Sequence, residues 1–329
     1  MSLSTRLLVG TGAVVMAAGA MLFAQGGDAT KVMADMRKAL GGEQKLAAVK
    51  ALTATGKSQR AMGEMSMGGD YELMLEWPDK FFTRQVVAQL PMGNIVSKMG
   101  FNGDALIQDT EQPQMPGGGM LQIRMGGGAG PNATPEQKAE GARTQVLSSK
   151  KDLACMALGM FGMGVGNYPL EFSAGGTAEA PDGKADVINV KGPDDFVGKL
   201  FIDQKSHLPL MFSWMGKEPM VLNASSNGRA GGIGGPQVQQ FTMNTGGKAP
   251  TREEQEKLMA DMEAKMKAAE AARKTVEYRM FYSNYQSVDG LQLPHTFQQT
   301  IAGTPSNEVT IEKYKLNPKI DPKKFETVK

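Results

Sequence analysis

Apolar and polar residues repeat with two different periods along this chain, and the switch between them divides it. After Asp28, which reads as an N-cap, Val32, Met33, Met36, Ala39 and Leu40 recur at helical spacing, and Gly41-Gly42 stops the helix. A second short helix carries Leu46, Val49 and Leu52 on one face. From Thr53 the period becomes two. Tyr71, Leu73, Leu75 and Trp77 alternate with Glu72, Met74 and Glu76, the pattern of an antiparallel strand with one buried face. Pro78-Asp79 turns the chain and residues 81–90 run back. Asn102-Gly103 then joins 95–101 to 105–108, a strong short-range hairpin signal.

The alternation breaks at residues 113–135, rich in Gly, Pro and Met without a sustained period, which predicts a loop. Residues 135–160 predict a helix that starts polar and ends in the apolar run 153–158. Strands are expected at 170–172, 186–191 and 196–203, and Leu208, Leu210, Phe212 and Trp214 alternate along one face. Residues 223–250 are rich in Gly, Ser, Asn and Gln, the composition of a disordered insertion. They lead into a charged helix at 252–274 with Leu258, Met259, Met262 and Met266 as its apolar stripe. Strands 278–285 and 291–300 flank Asp289-Gly290, another hairpin signal, and 309–316 follows. The sum is an α+β chain built on a mostly antiparallel sheet of roughly eight to eleven strands. N-terminal helices open it, and helical insertions interrupt it at about 111–167 and 223–274.

Composition narrows the chemistry. Across 329 residues, 36 Lys and Arg against 34 Asp and Glu leave +2, without the basic excess of a nucleic-acid binder. One Cys and two His exclude a disulfide framework and Cys/His zinc clusters. His207 and His295 each sit beside a proline-containing strand entrance, and no hydrolase or metalloprotease motif surrounds either. Cys155 lies in an apolar run, the setting of a buried inert thiol. Asp194-Asp195 follow Gly192-Pro193 and read as a turn. The runs Gly117–Gly119 and Gly126–Gly128 lack the Lys-Ser/Thr ending of a phosphate loop. No catalytic residue, metal ligand set or cofactor is therefore assigned. At the N-terminus, Arg6, the apolar residues 7–17 and Ala18-Gly19-Ala20 have the order of a signal peptide, cleaved after Ala20 or Ala24. That predicts residues 1–24 to be removed and 28–326 to form one domain in the periplasm, with no remaining membrane span.

Several turns are more specific than their periodicity requires. Ala39-Leu40-Gly41-Gly42, Trp77-Pro78-Asp79-Lys80 and Phe101-Asn102-Gly103-Asp104 come first. Leu200-Phe201-Ile202-Asp203 with Leu208-Pro209, Val288-Asp289-Gly290, Leu293-Pro294-His295, Asn317, Ile320-Asp321 and Phe325 follow in order. Together they resemble the outer-membrane lipoprotein-sorting proteins of the LolA/LolB-like superfamily. The resemblance implies a curved, open antiparallel half-barrel whose mouth is plugged by helices. It also implies an apolar cavity for a lipid or the acyl chain of a lipoprotein, and a carrier that is not an enzyme. The insertions are extra to that pattern, and the carriers' functional arginine aligns with no position here.

Combined with the alternation, this expectation names a cavity lining: Leu73, Leu75, Trp77, Leu210, Phe212, Trp214, Phe281 and Leu293. Ordinary core packing would use the same positions. Two other functions compete. One is a structural or protein-interaction module of the cell envelope, with a protein partner. The other is Cu(I) binding by Met62, Met65 and Met67 or by Met115, Met120 and Met125, since thioethers are soft ligands. Methionine equally serves as adaptable apolar lining.

Overall fold

The computed structural model describes residues 28–62, 65–90, 93–111, 113, 134–166, 168–180, 183–219, 222–226, 239–243, 264 and 268–326. The proposed signal peptide lies outside these residues, as do Met115, Met120, Met125 and both glycine runs. So does most of the charged helix expected at 252–274.

Asp28 caps α1 (Ala29–Ala39) by accepting from Thr30 N, and the chain leaves that helix through Gly41 and Gly42, both at positive φ. After α2 (Glu43–Ala48) come β1 (Ala51–Met62), β2 (Met65–Glu76), β3 (Lys80–Leu90), β4 (Gly93–Asn102) and β5 (Ala105–Glu111). Each hairpins onto the one before. Then α3 (Pro135–Phe161) leads to β6 (Glu171–Ala180), β7 (Gly183–Lys191), β8 (Val197–Asp203) and β9 (Pro209–Lys217). Two short strands, β10 (Leu222–Ser226) and β11 (Gln239–Met243), pair in parallel apart from the main sheet. Apart from Leu222 they fall within residues 223–250, expected to be a disordered insertion. The chain closes with β12 (Thr275–Val288), β13 (Leu291–Ile301), β14 (Thr304–Leu316) and a 3-10 turn at Pro322–Phe325.

One twelve-stranded sheet results, ordered β5-β4-β3-β2-β1-β14-β13-β12-β9-β8-β7-β6. All its neighbouring pairs are antiparallel, and β5 and β6 form its two unjoined edges. The count exceeds the eight to eleven strands expected, partly because β1 and β2 meet without an Asn-Gly or Asp-Gly turn to announce them. The hairpin at Asp289-Gly290 is as expected, with both residues at positive φ as a primed turn requires. The ends of the fold are tied at the sheet centre. Asn317 Oδ1 accepts from Lys50 N at 2.6 Å and Ala51 N at 3.2 Å, while its Nδ2 donates to Ala48 O at 3.1 Å.

The linker from β5 to β6 must pass from one edge of the sheet to the other. α3 makes that crossing. Its 27 residues span about 40 Å at 1.5 Å per residue, and it touches β4 and β5 on one side and β9 and β13 on the other. A sheet whose distant strands meet one helix is curved around it. Residues 153–161 are buried at every position, so this half of α3 is enclosed on all sides. The main core therefore sits inside the curve, between α1, α3 and the inner face of the sheet. Two smaller clusters cover parts of the outer face: Met74, Phe82, Ile107 and Phe325, and Ala178, Ala185, Val187 and Phe201.

Candidate ligand-binding interior

Strand alternation decides which side chains face α3. Leu73, Leu75, Phe212, Trp214 and Leu293 are buried members of the inner core, and Trp77 packs against it, its ring edge-on to Phe161 at 5.9 Å. These six belong to one continuous surface although they come from strands at opposite ends of the sequence. Two of the eight expected lining residues lie elsewhere. Leu210 is 42% exposed at the start of β9. Phe281 lies opposite Met211 in the β9–β12 register, one position out of phase with the buried Tyr282, so it belongs to the other face.

On the C-terminal side the inner wall is an aromatic row. Tyr168, Phe196, Phe212, Trp214 and Tyr278 follow one another with ring centroids 5.4–6.1 Å apart, the last two pairs stacked. Facing it across the interior are Phe81 and Phe101, 5.7 Å apart. Lys150 of α3 is 4% exposed, with its ammonium 5.6 Å over the Phe101 ring and 2.8 Å from Asp104.

The buried half of α3 is pinned from three sides. Tyr282 Oη donates to Cys155 O at 2.6 Å, and Tyr285 Oη lies 3.2 Å from Gly159 O and 2.9 Å from Pro209 O. Burial pushes both phenols well above their ordinary range, so both remain neutral donors. Arg37 of α1 donates to Phe161 O at 2.7 Å, placing a cation at the C-terminus of α3, and is itself held by both oxygens of Glu43. The first part of α3 has no such seat: none of residues 135–143 is buried.

Between these halves α3 is polar where it turns inward. Gln145, Ser149 and Asp152 fall on one stripe of the helix. Ser149 Oγ and Gln145 Nε2 are buried with no hydrogen-bond partner. Asp152 is exposed to solvent, yet loss of solvation raises its carboxyl above the ordinary range, against the opposing influence of Lys151. Asp152 stands at the edge of the enclosed segment, one residue before the run 153–161 that is buried throughout. The adjacent Lys151 reaches the aromatic row, its ammonium 5.9 Å over the Phe196 ring.

Reactive chemistry is sparse among the described residues. No group of three His, Cys, Asp or Glu side chains converges. Cys155 is 1% exposed and burial pushes its thiol well above the ordinary range, so it is no nucleophile. His295 packs edge-on to Tyr314 with Nδ1 3.1 Å from Leu293 O, and His207 occupies a turn at positive φ. Asp194 and Asp195 also form a turn, both at positive φ. A separate open depression of about 650 Å³ lies over β6–β9. Among the eight expected lining residues it contains only Trp214, and it mixes Glu171, Lys191, Lys199 and Glu277 with the exposed Val197 and Met215.

Sequence reasoning did not single out the tyrosine clamps, the aromatic row or the polar stripe. Only the stripe left a signal, as polar residues at helical spacing running into an apolar segment.

No protein-family model matches the chain, and no curated protein matches it. Solved structures do. The LolA superfamily protein NE2245 from Nitrosomonas europaea is similar at 9% identity, covering 92% of this chain and 98% of its own, with a TM-score of 0.44. A DUF1329 family protein from Desulfovibrio piger is similar at 8% identity, 91% and 98% coverage and a TM-score of 0.43. A domain described as an outer membrane lipoprotein-sorting protein, from Vibrio parahaemolyticus, gives 9%, 89%, 94% and 0.39. At 8–9% identity, none of these likenesses carries a function to this chain.

Proposed function

We propose that this protein is a periplasmic, non-enzymatic carrier that holds a lipid or lipoprotein acyl chain between the inner face of its sheet and α3. One observation carries the reading. α3 crosses an open sheet and is packed and pinned through its C-terminal half, while its N-terminal part stands free of the core. A helix seated in this way leaves an apolar and aromatic inner wall that an extended chain can share with it. Each buried methylene contributes about 0.8 kcal/mol, so an acyl chain needs no reactive group to be held. The aromatic row offers the wall, and Asp152 marks the water-accessible end. No helix among the described residues is long and apolar enough to cross a membrane.

Trp77 and Trp214 are the chain's two tryptophans, and both belong to or pack on this inner core. A conjugated polyene acyl chain entering the interior quenches their fluorescence by energy transfer. Saturable transfer, displaced by an unlabelled acyl lipid, is the expected result; its absence removes the carrier reading. The depression bearing Val197 and Met215, 55% and 57% exposed, supports the competing reading of an interaction module.

A further inference from the structure

The inner wall explains how an acyl chain is held but not the polar stripe where α3 enters the core. Gln145, Ser149 and Asp152 are spaced by four and three residues and so share a helix face. Ser149 is 2% exposed, and neither its hydroxyl nor the Gln145 amide nitrogen has a hydrogen-bond partner. Buried donors without partners are costly and uncommon in native interiors. Two of them one turn apart, where α3 enters the core, form a place for an acceptor. Among the described residues no hydrogen bond or salt bridge ties the Asp152 carboxylate, one turn further along. Of the neighbouring cations, Lys150 pairs with Asp104, and Lys151, whose charge reaches Asp152, makes no salt bridge with it among the described residues and holds its ammonium 5.9 Å over the Phe196 ring.

We propose that the stripe Gln145–Ser149–Asp152 is a head-group anchor selective for neutral acyl esters bearing a free hydroxyl, such as acylglycerols, over free fatty acids. The ester carbonyl accepts from Gln145 Nε2 and Ser149 Oγ. The hydroxyl next to it donates to Asp152. A free carboxylate in the same position would face Asp152 as a like charge and is rejected. This rests on the carrier reading above and adds the class of head group to it.

The test uses the intact mature protein carrying a fluorescent polyene acyl probe, displaced by two competitors with the same saturated chain: a monoacylglycerol and the free fatty acid, at neutral pH. Wild type is expected to bind the monoacylglycerol at least tenfold more tightly. Ser149→Ala and Gln145→Met should each weaken the monoacylglycerol about fivefold, the effect of one lost hydrogen bond, and leave the fatty acid unchanged. Asp152→Asn should strengthen the fatty acid and so narrow the preference. Circular dichroism confirms that each variant is folded, and the conservative Ser149→Thr, which keeps the hydroxyl, should retain the preference. If wild type binds both competitors alike and the variants move neither, the anchor is wrong while the carrier reading stands. If neither competitor displaces the probe and the probe itself does not bind, the carrier reading fails and the anchor with it.

Discussion

Gly159 tests how α3 is seated. Glycine in a helix interior costs about 1 kcal/mol relative to alanine, so Gly159→Ala would stabilise an exposed helix. Here a Cβ would lie 2.6 Å from Tyr282 Cε1 and 2.8 Å from Cγ, and closer still to Cδ1. The ring cannot yield easily. Tyr282 is 3% exposed, edge-on to Phe297, and tethered by its hydroxyl to Cys155 O at 2.6 Å. Overpacking at such a site costs about 3 kcal/mol, and setting the helix gain of about 1 kcal/mol against it leaves a net loss of about 2 kcal/mol. Urea denaturation followed by circular dichroism reads this as a lower midpoint with an unchanged slope. In a Tyr282→Ala background the obstacle is gone, and Gly159→Ala should become neutral or stabilising, a non-additivity of about 2–3 kcal/mol. Gly159→Ala as stable as wild type would refute the seating of α3 on β12.

The outer cluster should behave differently from the inner one. Phe325→Ala empties the packing over Met74, Phe82 and Ile107 and should cost about 3–5 kcal/mol in urea, while the folded fraction binds acyl probe as before. Asp152→Asn should raise the thermal midpoint at neutral pH. Partial loss of solvation lifts the folded carboxyl above its ordinary range, so stability is lost as pH rises from that range through the folded value; scans at pH 3 and pH 7 should show the gain only at pH 7. N-terminal sequencing of protein from the native periplasm should begin near Met21 or Gln25, and a retained Met1 on a cytoplasmic species would overturn export.

Much of the sheet was legible because a half-buried strand writes its alternation locally. Leu73 and Leu75 on β2, Trp77 just past its end, and Phe212 and Trp214 on β9 face inward as that alternation implies. The polar start and apolar end of α3 likewise match its free and enclosed parts. What failed was decided by distant partners. Around Phe281, apolar side chains occur on both parities of β12, and only the packing of Tyr282 under α3 tells which is inner. Leu210 continues the alternation of β9, but the β8–β9 register shifts between Phe201 and Ile202, so Leu210 is the residue passed over opposite β8 and turns outward while Pro209 beside it is buried. Met74 alternates with inward residues and looks solvent-facing, yet Phe325, far along the chain, covers it. The stripe on α3 was readable as polar spacing but not as a site, because its burial depends on the curvature of the whole sheet.

If the interior holds an acyl lipid, native mass spectrometry of the mature protein, purified from its own periplasm without detergent, detects it bound. The expected result is a mass adduct that leaves on activation as an acylated molecule. A bare polypeptide mass, or an adduct that proves to be copper or a protein partner, would contradict it.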